Sequence, residues 1–358
     1  MVITRFMRRL PFLLFLAALS GLLIFPARLA AELIWTPQGG WRVEGGVLAG
    51  LATEDGRNAL DLMNKARSAE EAGQEKKALG LYANVTKKYP NSVFSAEALF
   101  RTGMIREKRQ EYYKAFESFQ ILVARYPNSE KFNQVIGEQY RIASMIFAGK
   151  RNHFWGWFPG FRNREKALEY FETIVNTAPY SDYAPLSLIN ASKGYKQINE
   201  TEAAIDALDR MINTYPRSAL TPDAYLKIAQ THASLVDGPS YDQASTKEAI
   251  TYYEDYMILF PGDAGMVSAE KGLANMKKML ARSKMVIADY YLKYRKNYKA
   301  AKVFYNEAIT VYPDSDIAAQ ARAKLVLVDA KLDQQQNLAP AKGTKPIEPP
   351  KKKRFWLF

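Results

Sequence analysis

The sequence predicts an all-α protein of about six stacked helix pairs, and three observations carry that prediction. First, an alanine, a large apolar residue four positions on and a proline eight positions after that recur six times in the 358 residues. Second, the proline follows an aromatic residue in five of the six and precedes a serine or aspartate by two positions in all six. Third, the prolines lie 37, 52, 37, 45 and 52 residues apart. A period of this length belongs to helix pairs that cannot bury their own apolar face and must stack on their neighbours.

The six instances are Ala78/Tyr82/Pro90/Ser92, Ala115/Phe119/Pro127/Ser129, Ala167/Phe171/Pro179/Ser181, Ala204/Leu208/Pro216/Ser218, Ala249/Tyr253/Pro261/Asp263 and Ala301/Tyr305/Pro313/Ser315. Their short period sits just above the roughly 34 residues of a tetratricopeptide repeat, so the expected architecture is a superhelical solenoid of such repeats over residues 57–336. Each letter has a packing reason. The alanine opens helix B where two backbones approach closely, and the aromatic one turn later fills the gap between units. Proline cannot continue a helix interior and restrains the residue before it, so it stops helix B. The serine or aspartate is placed to cap the next helix. Gly73 marks the expected turn from helix A to helix B in the first unit.

Flanking segments differ in kind. Arg5, Arg8 and Arg9 precede an apolar run from Leu10 to Phe25, which reads as an export signal over residues 1–31, with an uncleaved inner-membrane anchor as the alternative. Residues 32–56 are rich in glycine and carry Trp35 and Trp41. They read as an irregular or short extended leader that tethers the solenoid, the alternative being a strap whose tryptophans insert into a partner or into the first repeat. Residues 337–358 form a Pro/Lys-rich tail, read as disordered, that closes on Lys351, Lys352, Lys353, Arg354, Phe355, Trp356, Leu357 and Phe358. That basic-aromatic end suits an anionic membrane surface or a partner groove, or is a solvated tail.

Three insertions lengthen the period. The first, between helices A and B of the third unit, holds His153 and five other aromatics: Phe154, Trp155, Trp157, Phe158 and Phe161. Such side chains are costly to leave in water, so they either fold onto the solenoid, the favoured expectation for an internal loop, or are held for a partner. The second, from Asp237 to Asp242, reads as a longer turn. The third, from Met266 to Tyr298, contains no proline and only Gly272, and reads as one long helix A.

The net charge of +13 is concentrated at the ends: residues 1–31 hold four of those charges and residues 339–358 a net five, leaving +4 on the body. With no concentrated basic face or reader motif in the body, nucleic acid is excluded as a partner. Zero cysteines remove a disulfide framework, a thiolate nucleophile, a thiolate metal site and a lipid-bearing cysteine. No catalytic motif stands in the chain, and His153 and His232, the only histidines, have no second histidine at ligand spacing. His232 reads as a packed or surface helix residue. The reading is therefore of a non-enzymatic protein with no cofactor or metal.

Three stretches carry a family resemblance: the pair Tyr89-Pro90-Asn91-Ser92 and Tyr126-Pro127-Asn128-Ser129, the aromatic insertion leading into Arg164–Phe171, and the late block from Lys278 to Tyr291. In this order they resemble the BamD (YfiO) family over roughly Ala59 to Val328. The resemblance implies a periplasmic, non-enzymatic adaptor of the machinery that folds β-barrel proteins into a Gram-negative outer membrane. Amino-terminal repeats would receive unfolded barrel clients, and carboxy-terminal repeats would hold the barrel assembly subunit. By position, Arg101, Arg106, Tyr112 and Tyr113 fall in the first role, and Tyr290, Tyr291, Lys293 and Arg295 in the second. Phe154, Trp155, Trp157 and Phe158 are further partner-binding candidates. The chain departs from the family in lacking the lipid-bearing cysteine, in carrying one repeat beyond the usual five, and in a one-residue insertion around Tyr294. The tail or an uncleaved signal would replace the lipid. A different class of reading is a general periplasmic scaffold that coordinates cell-wall synthesis with envelope constriction, and a third is a regulator of a peptidoglycan hydrolase.

Overall fold

A computed structural model of the chain describes residues 32–44, 53–240 and 243–338. The expected export signal and the tail from residue 339 onward lie outside the described residues, as do Tyr241 and Asp242 at the end of the second insertion. Among the described residues the chain forms two short β-hairpins and thirteen α-helices. A first hairpin, β1 (Glu32–Thr36) and β2 (Gly40–Glu44), precedes α1 (Glu54–Glu71), α2 (Glu75–Lys88), α3 (Phe94–Lys108), α4 (Tyr112–Arg125) and α5 (Phe132–Phe147). The second, β3 (His153–Phe154) and β4 (Phe158–Pro159), precedes α6 (Arg164–Thr177), α7 (Tyr183–Gln197), α8 (Thr201–Thr214) and α9 (Thr221–Ser234). Then come α10 (Ala244–Leu259), α11 (Met266–Tyr290), a π-helical turn (Tyr291–Arg295), α12 (Tyr298–Val311) and α13 (Asp316–Leu338). Read in order, α1 to α12 make six helix pairs and α13 closes the series. The protein is all-α with tetratricopeptide-type pairing.

The recurrent alanines behave as their spacing predicts: Ala78, Ala115, Ala167, Ala204, Ala249 and Ala301 are all fully buried. The residue four positions on is buried in every unit, as Tyr82, Phe119, Phe171, Leu208, Tyr253 and Tyr305. Two of these rings press on a glycine of the facing helix A. A Cβ on Gly103 would lie 2.2 Å from Phe119 Cε1, and one on Gly272 would lie 2.3 Å from Tyr253 Cζ. Where the ring is a tyrosine, its buried hydroxyl needs a partner. The Tyr82 hydroxyl donates to Glu70 Oε2 at 2.7 Å, and the Tyr305 hydroxyl donates to Asp289.

The turns from helix A to helix B share one geometry. Gly73, Gln110, Gly149, Asn199 and Lys296 all have positive φ. In the first four units the next amide closes back onto helix A, from Gln74 to Ala69 O, Glu111 to Arg106 O, Lys150 to Met145 O and Glu200 to Tyr195 O, at 2.8–2.9 Å. This left-handed closure satisfies carbonyls that the helix end would leave bare. Glycine adopts it freely; Gln110, Asn199 and Lys296 do so against the steric cost of their Cβ.

Every helix B ends two residues before its proline, as restriction of the preceding residue requires. The expected capping residue does two things: the side chains of Ser92, Ser129, Ser218 and Asp263 accept from the amide two residues on, at the start of the next helix, at 2.9–3.3 Å, and the backbone closes the turn. The amides of Ser92, Ser129, Ser181, Ser218, Asp263 and Ser315 each donate three residues back, to Tyr89, Tyr126, Ala178, Tyr215, Phe260 and Tyr312. These residues thus close the turn itself. Most of the following helices begin one or two residues later than a capping role requires, and only Ser315 accepts from the amide three residues on, Ala318, at 3.1 Å.

The helix pairs gather into two compact units that divide within α7, between Gly194 and Tyr195. In the first unit, the leader folds as a hairpin with Trp35 opposite Trp41. Trp41 is buried against Ala59, Met63 and Ala66 of α1, and its amide donates to Asn64 Oδ1 at 2.8 Å. The guanidinium of Arg67 stacks over Trp35 at 4.4 Å. Both tryptophans are used inside the protein to cover the first repeat, so the segment from Glu32 to Glu44 is an ordered cap and not a loose tether. Helix α1 begins at Glu54, capped by Thr53, whose hydroxyl accepts from Gly56 N.

Candidate partner-binding surfaces

In the first unit the four positions assigned to clients are largely committed to the fold. Arg101 Nε donates to Glu97 Oε1 at 2.8 Å, and its guanidinium lies 5.7 Å from the Trp41 ring. Arg106 Nη1 donates to the Lys114 carbonyl at 3.1 Å and to Ser118 Oγ at 2.7 Å, and burial lowers its pKa. Tyr112 is only 6% exposed, so its ring is a core element. Tyr113 is half-buried, edge-on to Tyr170, and its amide donates to Asn152 Oδ1 at 3.0 Å. Beneath them lies buried Glu107, whose carboxyl burial pushes up to about 7 against the pull of Arg141, 2.6 Å away. That contact is ionic only: neither Glu107 oxygen accepts a hydrogen bond of good geometry.

The aromatic insertion does not fold back onto the helices. It forms the second hairpin, with Phe154 opposite Phe158. Its rings stand in solvent: Trp155 is 67% exposed, Trp157 71% and Phe161 94%, and Phe154 and Phe158 are about half exposed. Backbone bonding explains why collapse is resisted. The His153 amide donates to the Gln110 carbonyl at 2.7 Å, the Gly160 amide to the Asn152 carbonyl at 2.8 Å, and Arg109 Nη2 to the Trp155 carbonyl at 2.8 Å. Arg109 is itself fixed by Glu111 at 3.0 Å and Glu75 at 3.3 Å. At the tip Trp155 and Gly156 both have positive φ, 56° and 79°, and the Trp157 amide donates to the Phe154 carbonyl at 3.3 Å. A tryptophan held in the left-handed region costs about 1–3 kcal/mol, which the surrounding bonds must offset. A Cβ on Gly156 would lie 2.6 Å from Arg109 Nη2.

In the second unit the late block builds a platform at the end of α11. Tyr290 and Tyr294 are exposed with ring centroids 5.9 Å apart, and exposed Val286 lies one turn before Tyr290. Tyr291 turns inward and stacks flat on Phe304, with centroids at 5.5 Å. Lys293 and Arg295 are exposed beside them. The extra residue suspected near Tyr294 falls in the π-helical turn Tyr291–Arg295, a widened turn of the kind that absorbs one additional residue. It closes through Lys296, in the left-handed region, and through the Asn297 amide, which donates to the Tyr291 carbonyl at 3.0 Å. The exposure of Tyr294 and the bracing of the insertion by Arg109 and Asn152 were not legible in the sequence: nothing in the local pattern tells which ring of a tyrosine cluster faces outward or which arginine braces a loop 46 residues on.

His232 is half-buried and stacks on Tyr252 at 5.6 Å. No group of three His, Asp or Glu side chains comes together to hold a metal among the described residues. No helix among them is long and apolar enough to cross a membrane.

Helix hairpins with a buried alanine at each crossing point and a buried large side chain one turn on define a tetratricopeptide-repeat protein. Repeat profiles of that type match residues 62–92 and 97–129, which are α1/α2 and α3/α4. The chain belongs to the YfiO family, described as outer membrane lipoprotein, whose profile matches residues 161–342, just over half of it. Similar curated proteins include the outer membrane protein assembly factor BamD of Caulobacter vibrioides, 28% identical over 132 residues, covering 37% of this chain and 43% of that protein. The BamD of Rickettsia prowazekii is 26% identical over 162 residues, covering 45% of this chain and 64% of that protein. The chain thus spans about half the length of these relatives. Among solved structures, a tetratricopeptide-repeat protein of Cytophaga hutchinsonii is 16% identical, with a TM-score of 0.32, over 77% of this chain and 92% of that one.

Proposed function

We propose that the protein is a periplasmic adaptor of outer-membrane β-barrel assembly, binding unfolded barrel clients on its first unit and the barrel assembly subunit on its second. The reading is supported by the family profile over residues 161–342, which spans every helix of the second unit. The single observation that carries it is the exposed tyrosine pair, Tyr290 and Tyr294, held by the π turn inside that stretch. Tyrosine and arginine are among the side chains enriched in protein interfaces and their hot spots, and Arg295 stands exposed beside the pair.

The platform works by presenting and not by reacting. Inward-facing Tyr291 and the Asp289 network fix the backbone, so Tyr290 and Tyr294 lose little freedom when a partner covers them. On the first unit, Arg101, Arg106 and Tyr113 remain the partly accessible members of the client set; Arg101 lies beside the capping hairpin and Tyr113 beside the aromatic insertion. The chain holds no cysteine, so none of these residues can carry a cysteine-linked lipid.

Affinity purification of the full chain from detergent-solubilised envelopes tests the reading. Recovery of the barrel assembly subunit, lost in Tyr290→Ala/Tyr294→Ala with circular dichroism unchanged, is the expected result. Recovery of cell-wall enzymes alone would transfer the protein to the scaffold class.

A further inference from the structure

We infer that the hairpin between α5 and α6 is a membrane-docking element that seats its rings in the interface of an anionic phospholipid bilayer. The inference rests on charge, on register and on rigidity, and it is independent of which proteins the helix pairs hold.

Charge comes first. From Lys150 to Arg164 the segment contains Lys150, Arg151, Arg162 and Arg164 and no aspartate or glutamate, and all four cations are exposed. A run of cations with no acidic residue among them complements a surface that is uniformly negative, as that of an anionic bilayer is. Tryptophan is also the side chain most at home at the boundary between lipid headgroups and acyl chains, its ring amphipathic and its N–H wet.

Register places the two chemistries at different heights. His153 pairs with Pro159 and Phe154 with Phe158, and the Gly160 amide donates to the Asn152 carbonyl. The legs that carry Lys150 and Arg151 on one side and Arg162 on the other therefore meet at the base, while Trp155 and Trp157 lie at the tip. At about 3.3 Å per extended residue, the tip stands roughly 10 Å beyond the cations, the depth to which interfacial apolar groups enter a bilayer. Phe161, the most exposed of the five rings, sits between the two levels.

Rigidity completes the case. Arg109, braced by Glu75 and Glu111, holds the Trp155 carbonyl, and buried Asn152 bonds the Tyr113 amide on α4. The tip backbone is thus fixed at the turn between α3 and α4, and from it the Trp155 and Trp157 side chains stay exposed. The backbone is anchored on the helices while the rings are left in solvent, with the Trp155 backbone in the left-handed region.

Co-sedimentation of the full chain with phosphatidylglycerol/phosphatidylethanolamine vesicles, and with phosphatidylcholine vesicles, tests the proposal. The 351–358 tail also carries cations and rings, so wild type and variants all retain it and only their difference is read. Trp155→Ser/Trp157→Ser is expected to lower partition into the anionic vesicles at least tenfold, and Lys150→Gln/Arg151→Gln/Arg162→Gln/Arg164→Gln to reduce its salt sensitivity. In a Trp356→Phe background, anionic vesicles should shift indole emission to the blue and brominated lipids should quench it, both effects disappearing with Trp155 and Trp157. Unchanged partition in the serine variant, equal partition into neutral vesicles, or an emission spectrum insensitive to lipid would overturn the proposal. Cross-linking of the hairpin to a protein with vesicle binding unaffected would overturn it equally. None of these outcomes alters the copurification result that tests the adaptor reading.

Discussion

The ammonium of Lys324 donates to both carboxylate oxygens of Asp289 at 2.7 Å each, tying α13 to the end of α11. The buried Tyr305 hydroxyl of α12 donates to the same carboxylate, so three helices converge on one acceptor immediately before the exposed tyrosines. Although burial acts to raise the Asp289 pKa, Lys324 and Tyr305 together hold it below the ordinary carboxylate value. Lys324→Ala leaves a partly buried carboxylate short of its strongest donor and should cost about 2 kcal/mol, measured by urea unfolding at pH 7. The stabilisation from Asp289 is present above the unfolded pKa of about 4 and is lost as pH falls through the lower folded value. The deficit of the variant should accordingly shrink below pH 4.

Glu107 responds with the opposite sign. Its carboxyl is pushed up to about 7 by burial, whereas in the unfolded chain it titrates near 4.3. The folded protein therefore holds the extra proton between those values, and stability from this site falls as pH rises from 4 to 7. Glu107→Gln, neutral throughout, should remove that slope. Thermal unfolding at pH 5 and pH 8 should show the wild type losing on the order of 1–2 kcal/mol more than the variant.

Gly103 faces the Phe119 ring so closely that a Cβ would overlap it, at 2.2 Å. Gly103→Ala, which an isolated helix would welcome, should here destabilise the first unit by about 1–3 kcal/mol through overpacking. An increase in stability on denaturant titration would contradict the packing account of the repeat.

Gln110 occupies the left-handed position that Gly73 and Gly149 occupy in neighbouring units. Gln110→Gly relieves the Cβ strain and should raise stability by about 0.5–1 kcal/mol. The carbonyl of residue 110 still receives the His153 amide, so the exposed hairpin should keep its indole emission.

The repeat was legible because each of its letters answers to a local constraint: Ala115 and Ala301 to close helix approach, Phe119 and Tyr305 to the gap beside it, Pro127 and Pro313 to helix termination. Serine at the turn was legible only in part: its side chain accepts from the start of the next helix at Ser92, Ser129, Ser218 and Ser315, but where that helix begins, and the turn closed by the serine amide, left no mark in the pattern. The leader was read as loose from its glycines. Gly40 in fact supplies a positive φ at the hairpin turn where a Cβ would meet Asn64 Oδ1 at 2.8 Å, which is how Trp41 reaches its buried site. The insertion was expected to fold back because exposed rings are costly. That expectation could not include Arg109 and Asn152, whose bonds to the loop are long-range and leave no mark in its own sequence.

The most direct test of the central claim is a photo-cross-linker placed at Tyr294 of the full chain in living cells, followed by identification of the captured protein. The account predicts a cross-link to the barrel assembly subunit that is absent when the cross-linker is moved to buried Tyr305. Capture of cell-wall enzymes without that subunit, or equal capture from both positions, would contradict it.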